Sequence, residues 1–242
     1  MPEPLVRFRG VSKSFGRAQA LRGIDLDLAP GACAGLTGVN GAGKTTLIKC
    51  LLDLCALDVG AIAIDGIEHR RPQARARLAY LPERFAAPYF LTGREFMAMM
   101  LELFGRSYDD EAVRTVFATL DLDSAALDKP VRDYSKGMTQ KLGLAACLLS
   151  KRELYVLDEP MSGLDPAARA RTKERLLELK AQGRTLLITS HSLSDVEELC
   201  DQITVLHMGA LAYAGTPDGL CETYEEPTLE RAFLKCIESH AR

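Results

Sequence analysis

Three features of the sequence predict an α/β fold with a mostly parallel sheet, an N-terminal antiparallel β-subdomain and an inserted helical subdomain. The first is Gly38-Val39-Asn40-Gly41-Ala42-Gly43-Lys44-Thr45. It reads G-x-x-x-x-G-K-T, the P-loop pattern, so the core is expected to be that of a P-loop NTPase. The second is a pair of segments ahead of it, Leu5-Val6-Arg7-Phe8-Arg9 and Ile24-Asp25-Leu26-Asp27-Leu28. Both alternate apolar with polar residues, as half-buried antiparallel strands do. The third is a change of pattern after Pro82-Glu83, where helical periodicity takes over before short apolar runs return near Leu154. The expected division is a nucleotide-binding core with its β-subdomain over 1–84 and 151–225, a helical subdomain over 85–150, and a C-terminal amphipathic helix over 226–242.

The P-loop carries the most specific chemistry. Its three glycines let backbone N–H groups approach phosphate oxygens without a Cβ in the way. Lys44 would neutralise charge on the β and γ phosphates, and the Thr45 hydroxyl would be a ligand for Mg²⁺. The run from Thr45 to Leu52 has apolar residues at helical spacing, so the loop opens a helix whose positive end points at the phosphates. Cys33-Ala34-Gly35-Leu36 ahead of it is short and uncharged, as a buried strand would be. Asn40, Gly41, Ala42, Gly43, Lys44, Thr45 and Thr46 are therefore the candidate nucleotide-binding residues.

Composition bounds the rest. The 242 residues suit one large domain or one domain with an inserted subdomain, and 47% hydrophobic content supplies a sizeable core. A formal charge of −3 argues against nucleic acid as the main partner. Met1-Pro2-Glu3-Pro4 leads straight into an alternating strand, so no signal peptide is expected. The longest apolar run, Leu142 to Leu149, is well short of the roughly 20 residues of a membrane span, so any membrane role requires a partner. The seven cysteines are scattered without a C-x-x-C pair or a histidine at metal-ligand spacing. Buried thiols are expected, with neither a structural disulfide nor zinc.

Along the chain, Val11 to Gly16 reads as a loop between the first two strands. Its Phe15 would either stack on an adenine ring or pack under the sheet. Ala61-Ile62-Ala63-Ile64 is a strand ending in an Asp65-Gly66 turn, and Ala79-Tyr80-Leu81 is a short strand. Thr92-Gly93-Arg94-Glu95 is a capping box that starts a helix through Phe96, Met99, Met100 and Leu103. A second helix carries Val113, Val116, Phe117 and Leu120. A third spans Ser135 to Ser150, with Met138, Leu142, Ala145 and Leu149 on one face. Leu154-Tyr155-Val156-Leu157 is a continuous apolar run, as in a parallel strand buried on both faces. Asp165-Pro166 caps a helix to about Gln182. Thr185 to Ser190 is the next strand. Ser194-Asp195-Val196-Glu197 reads as a capping box for a helix to Cys200. Ile203-Thr204-Val205-Leu206 and Ala210-Leu211-Ala212-Tyr213 flank Gly209 as a hairpin.

Ligands of such sheets sit at the C-terminal ends of the strands. Three inferred strands end in polar groups: Asp158-Glu159, His191, and Glu83. Four apolar residues followed by Asp158 form the Walker B arrangement, so Asp158 would hold Mg²⁺. Glu159 is placed to take a proton from an attacking water. His191 would donate an imidazole N–H to the γ phosphate. A guanine-reading N-K-x-D motif is impossible, since Asn40 is the only asparagine.

Tyr134-Ser135-Lys136-Gly137-Met138-Thr139-Gln140-Lys141, taken with these motifs, resembles the signature of ATP-binding cassette (ABC) ATPases, and the resemblance covers nearly the whole chain. It implies ATP and Mg²⁺ as ligands and a head-to-tail dimer of two copies. Each site would pair one P-loop with the other copy's Ser135 and Gly137. Ser162-Gly163-Leu164-Asp165 then resembles the D-loop, His191 the switch histidine, Phe15 the adenine-stacking aromatic, and Glu83 the Q-loop residue beside Mg²⁺. Here Glu83 replaces Gln, and Tyr134, Lys136 and Met138 replace Leu, Gly and Gln. The Leu-Pro-Glu and Tyr-Ser-Lys-Gly-Met forms are similar to cassettes of bacterial exporters whose polytopic membrane permease is a separate polypeptide. That implies a cytoplasmic protein held on the inner face of the membrane, with substrate chosen by the permease. Phe85, Tyr89 and Phe90 would seat a helix of that permease or pack in the helical subdomain. The segment from Thr228 to Ile237 would pack on its own domain or form a dimer contact. A soluble ABC ATPase acting on the ribosome or nucleic acid is the alternative, but this chain has one cassette and no sustained heptads.

Overall fold

The computed structural model describes residues 3–240, so the outer limits expected at 1 and 242 lie outside the described residues. Two sheets divide the strands. The first is antiparallel, with order β2-β1-β4-β5 for β1 (Val6–Phe15), β2 (Ala18–Leu28), β4 (Val59–Ile64) and β5 (Ile67–Glu68). Val11 to Phe15 of the expected loop are instead the second half of β1, and only its Gly16 lies in the turn to β2. Bulges after Phe8 and Val11 break its pairing with β2, and Gly10 supplies a left-handed φ of 58° there. A bulge inserts an unpaired residue and shifts the alternation, so a period-2 reading loses the strand at that point.

The second sheet runs β10-β9-β3-β8-β7-β6. It joins β3 (Cys33–Thr37), β6 (Leu78–Leu81), β7 (Leu154–Asp158), β8 (Thr185–Thr189), β9 (Gln202–His207) and β10 (Ala210–Gly215). All its pairings are parallel except β9 with β10. The mostly parallel sheet and the antiparallel one match the predicted fold class. Every residue of β3, β7 and β8 is buried, which is why these segments read as continuous apolar runs. Alternate side chains still take opposite faces. Leu154, Val156 and Leu187 join the cluster with Val6, Phe8 and Ile48 between the sheets, whereas Tyr155, Leu157 and Ile188 face the helical side with Phe96, Phe117 and Leu142.

The helices are α1 (Lys44–Leu51), α2 (Pro72–Arg75), α3 (Gly93–Leu103), α4 (Asp110–Thr119), α5 (Lys136–Leu149), α6 (Pro166–Ala181), α7 (Leu193–Leu199), α8 (Pro217–Tyr224) and α9 (Leu229–Ser239). The Thr92 capping box forms, with both Thr92 and Glu95 donating and accepting as the motif requires. Asp165 caps α6 through the Ala168 N–H, with Pro166 at the first helical position. In α5 the burial is wider than one face: every residue from Gln140 to Leu148 is buried. The capping box expected at Ser194 does not form. Helix α7 starts earlier, with Ser192 at the N-cap, and Ser194 lies inside it. The Asp195 carboxylate points away from the helix backbone to Arg169 and Lys173 of α6. Helices α2 and α8 were not predicted, although Pro72 and Thr216-Pro217 mark their starts. In α9, Leu229, Ala232 and Cys236 are buried in the chain's own core, with Phe233 and Ile237 packed against it.

Candidate nucleotide-binding site

The P-loop leaves the end of β3, the strand enclosed by β8 and β9, and delivers the chain into α1. Two of its glycines are required by close approach. A Cβ on Gly38 would run into the Leu206 carbonyl, and one on Gly43, whose φ is 112°, would come within 2.7 Å of the Ala20 carbonyl. The turn after β9 braces the loop from beneath: Gly209 N–H donates to the Ala42 carbonyl at 3.0 Å, and Arg22 N–H to the Gly209 carbonyl at 2.7 Å. Lys44 Nζ donates to the Gly38 carbonyl at 2.6 Å, which keeps the ammonium inside the loop's concavity. Burial lowers the Lys44 pKa, opposed by the charges of Glu159, Asp158 and Glu83.

The carboxylates come from β7. Asp158 is its last residue and pairs in register with Thr189 of β8. Thr189 Oγ1 donates to Asp158 Oδ1 at 2.6 Å and accepts from the Glu159 N–H at 2.9 Å. Glu159 has a φ of 50°, a left-handed conformation that costs a non-glycine residue about 1–2 kcal/mol. That turn swings its side chain off the strand and into the cavity. His191 Nε2 lies 3.4 Å from Glu159 Oε1, yet this oxygen is buried and has no hydrogen-bond partner. Burial raises the pKa of both carboxyls: the Thr189 hydroxyl pulls Asp158 back down, and nearby His191 does the same for Glu159.

One cavity gathers most of the predicted residues. Asn40, Gly41, Ala42, Gly43, Lys44, Thr45, Thr46, Glu83, Asp158, Glu159 and His191 line it, with Ala20 of β2 as an unpredicted wall. Phe15, Ser135 and Gly137 do not line it. Phe15 ends β1 as a residue 54% exposed, with Lys13 Nζ 5.4 Å from its ring centroid, so it does not pack under the sheet. Ser135 is the N-cap of α5, its hydroxyl accepting from the Met138 N–H. A Cβ on Gly137 would be 3.4 Å from the Gly163 carbonyl, so the signature-like turn leans on the D-loop-like segment of the same chain. Phe85 packs edge-on against Phe96 with ring centroids 5.8 Å apart, whereas Tyr89 and Phe90 are exposed. Thr189 is the residue the sequence reading missed. Its signal is a polar side chain that ends the apolar run Leu186-Leu187-Ile188.

The donor set suits the expected metal. A Thr45 hydroxyl and the Asp158 and Glu83 carboxylates are the hard oxygen ligands Mg²⁺ takes. Among the described residues no three His, Cys, Asp or Glu side chains converge as a ligand set of their own. A phosphate cradle, a buried carboxylate pair and a histidine at the C-terminal edge of a parallel sheet define a P-loop nucleoside triphosphatase.

Comparison with known proteins places it more closely. The ABC transporter family profile matches residues 21–162, and the chain belongs to that family, as an ATP-binding subunit of the ABC ATPase type. It is 39% identical over 204 residues to an uncharacterized ABC transporter ATP-binding protein of Synechocystis sp., covering 83% of this chain but 57% of that one. It is 37% identical over 224 residues to the Nod factor export ATP-binding protein I of Paraburkholderia xenovorans, covering 91% and 73%. A solved ATP-binding subunit of an ABC transporter superposes with a TM-score of 0.90 at 28% identity, over 96% of this chain and 99% of the other. An ATP-bound bacterial Atm1-family ABC exporter shares the fold, with a TM-score of 0.83 at 21% identity over 97% and 42%. Among the described residues no helix is long and apolar enough to cross a membrane.

Proposed function

We propose that this chain hydrolyses ATP to drive an exporter whose membrane-spanning permease is a separate polypeptide. The observation that carries the reading is the single cavity in which the P-loop faces Asp158, Glu159 and His191. Asn40 to Thr46 bind the triphosphate, with Lys44 countering its charge and the start of α1 directed at it. Thr45 and Asp158, with Glu83 beside them, hold Mg²⁺, which supplies charge neutralisation at the γ phosphate. Glu159 Oε1, buried and without a partner, is free to accept a proton from the attacking water. His191, opposite it, donates to the γ phosphate. Phe15, exposed at the hairpin end, offers its ring to the adenine.

Ser135 and Gly137 lie outside this cavity and are exposed or half-exposed, which supports their use by a second copy. In a head-to-tail dimer the N-terminus of α5 would meet the γ phosphate held by the other P-loop. Closure would carry residues 85–150 and the permease with them. The exposed Tyr89 and Phe90 are available to that partner, and relatives named for Nod factor export support the outward direction.

The test uses tagged Glu159→Gln protein, expressed in its native host and gently solubilised from membranes with ATP present. Recovery of a polytopic membrane protein in equal stoichiometry is the expected result. Recovery of ribosomes, DNA or soluble protein alone would overturn the transport role. A Ser135→Arg protein that still hydrolyses ATP at the wild-type rate would sink the composite site.

A further inference from the structure

A buried carboxylate outside the cavity joins α6, the helix that follows the Glu159 turn, to the loop that carries His191. Asp195, in the first turn of α7, is 3% exposed. Its Oδ2 accepts from Arg169 Nη2 at 2.8 Å and its Oδ1 lies 2.9 Å from Lys173 Nζ, both on α6. Ser190 Oγ, the residue before His191, donates to Asp195 Oδ2 at 3.3 Å while accepting from the Ser192 N–H at 3.1 Å. Lys173 also reaches Glu198 Oε2 at 2.5 Å. On the other side, Arg169 N–H donates to the carbonyl of Asp165, the residue that ends the D-loop-like segment and caps α6.

One carboxylate thus receives α6, which continues the loop from Glu159, and the loop from β8 that carries His191. A buried carboxylate facing two cations is neutralised and hydrogen-bonded, and such clusters fix geometry more than they add stability. We propose that Asp195 is a positioning residue that holds His191 in register with Glu159, keeping their 3.4 Å approach. The inference rests on the roles given above to Glu159 and His191. No P-loop residue is among the partners of Asp195, so nucleotide binding should not need it.

The experiment compares Asp195→Asn, Asp195→Glu, Ser190→Ala and His191→Ala in the full chain, singly and with each Asp195 or Ser190 change combined with His191→Ala. Asp195→Asn should lower kcat about 10-fold to 100-fold, as misplacement of a reacting group does, with ATP affinity and KM within about twofold. Asp195→Glu should recover most of the loss. On a His191→Ala background neither Asp195→Asn nor Ser190→Ala should cost anything further, because residues acting through one another are not additive. An unchanged kcat in Asp195→Asn, or a full additional loss on that background, overturns the inference. So does a joint fall of kcat, ATP affinity and melting temperature, which marks a stability role alone. If Asp195→Asn fails to fold, Ser190→Ala decides by the same criteria. A His191→Ala protein with wild-type turnover would instead remove the role given to His191, a failure of the underlying reading that is seen separately.

Discussion

Thr189 Oγ1 donates to Asp158 Oδ1 at 2.6 Å across adjacent parallel strands, and the same oxygen accepts from the Glu159 N–H. One hydroxyl therefore orients the carboxylate proposed to hold Mg²⁺ and anchors the strained turn that aims the next one. Thr189→Val keeps the volume and leaves both groups buried and unpaired. We expect a loss of about 1–3 kcal/mol in stability, seen as a lower denaturant midpoint. Turnover should fall with it, and Thr189→Ser should retain both. A valine variant as stable as wild type would mean that Asp158 and the Glu159 N–H find other partners.

Glu159→Gln preserves the shape of the side chain and removes its basicity. ATP turnover is expected to drop by about 10²–10⁴-fold, the contribution of a positioned base. Nucleotide affinity should stay near wild type, since Lys44 and the loop N–H groups are untouched. Measuring both on one preparation checks the assignment, and normal turnover would end it.

Phe15 is more than half exposed, with the Lys13 ammonium 5.4 Å from its ring centroid. Phe15→Ala should leave stability within about 0.5 kcal/mol. Affinity for ATP should weaken by about 1–3 kcal/mol, the worth of base stacking on an aromatic. Affinity for inorganic triphosphate, which has no base, should not change. Equal weakening of both ligands would assign Phe15 to loop structure instead.

Asp110 is a test of pH dependence away from the cavity. Arg114 and Arg94 hydrogen-bond its carboxylate and hold its pKa down to about 2, against an ordinary 3.8. A depressed carboxyl pKa stabilises the fold fully above the ordinary value and loses that contribution as pH falls toward the native value. Wild type should therefore lose stability more steeply than Asp110→Asn between about pH 4 and 2, a window set by those two values. Unfolding curves of the two proteins across that window check it. Parallel curves would show that solvent screens the pairs.

The parallel core was legible because its strands are buried on both faces and its helices begin with local signals. Asp165-Pro166 and Thr92 to Glu95 announce their helices within four residues of chain, and both caps form as read. The same reasoning misplaced the start of α7. Ser194 and Glu197 satisfy the capping pattern locally, but Asp195 is drawn to cations on α6 that no local pattern can reveal. Bulges hid the second half of β1 by shifting its alternation. In the cavity, the loop and the carboxylates were legible from motif and strand end. Thr189 was not, because its value lies in lying beside Asp158 in register, and register is a property of the folded sheet.

The strand order has a consequence for how the chain reaches its folded state. β3 bears the phosphate loop, yet its two sheet neighbours are β8 and β9, which begin at Thr185 and Gln202. During synthesis the loop therefore emerges long before the strands that can bury its support. Pairings this distant along the chain are slow to form and leave an apolar strand edge exposed meanwhile. The antiparallel sheet is complete by Glu68 and can form first. A ribosome-bound chain ending before Thr185 should accordingly present β3 to chaperones and proteases rather than to nucleotide.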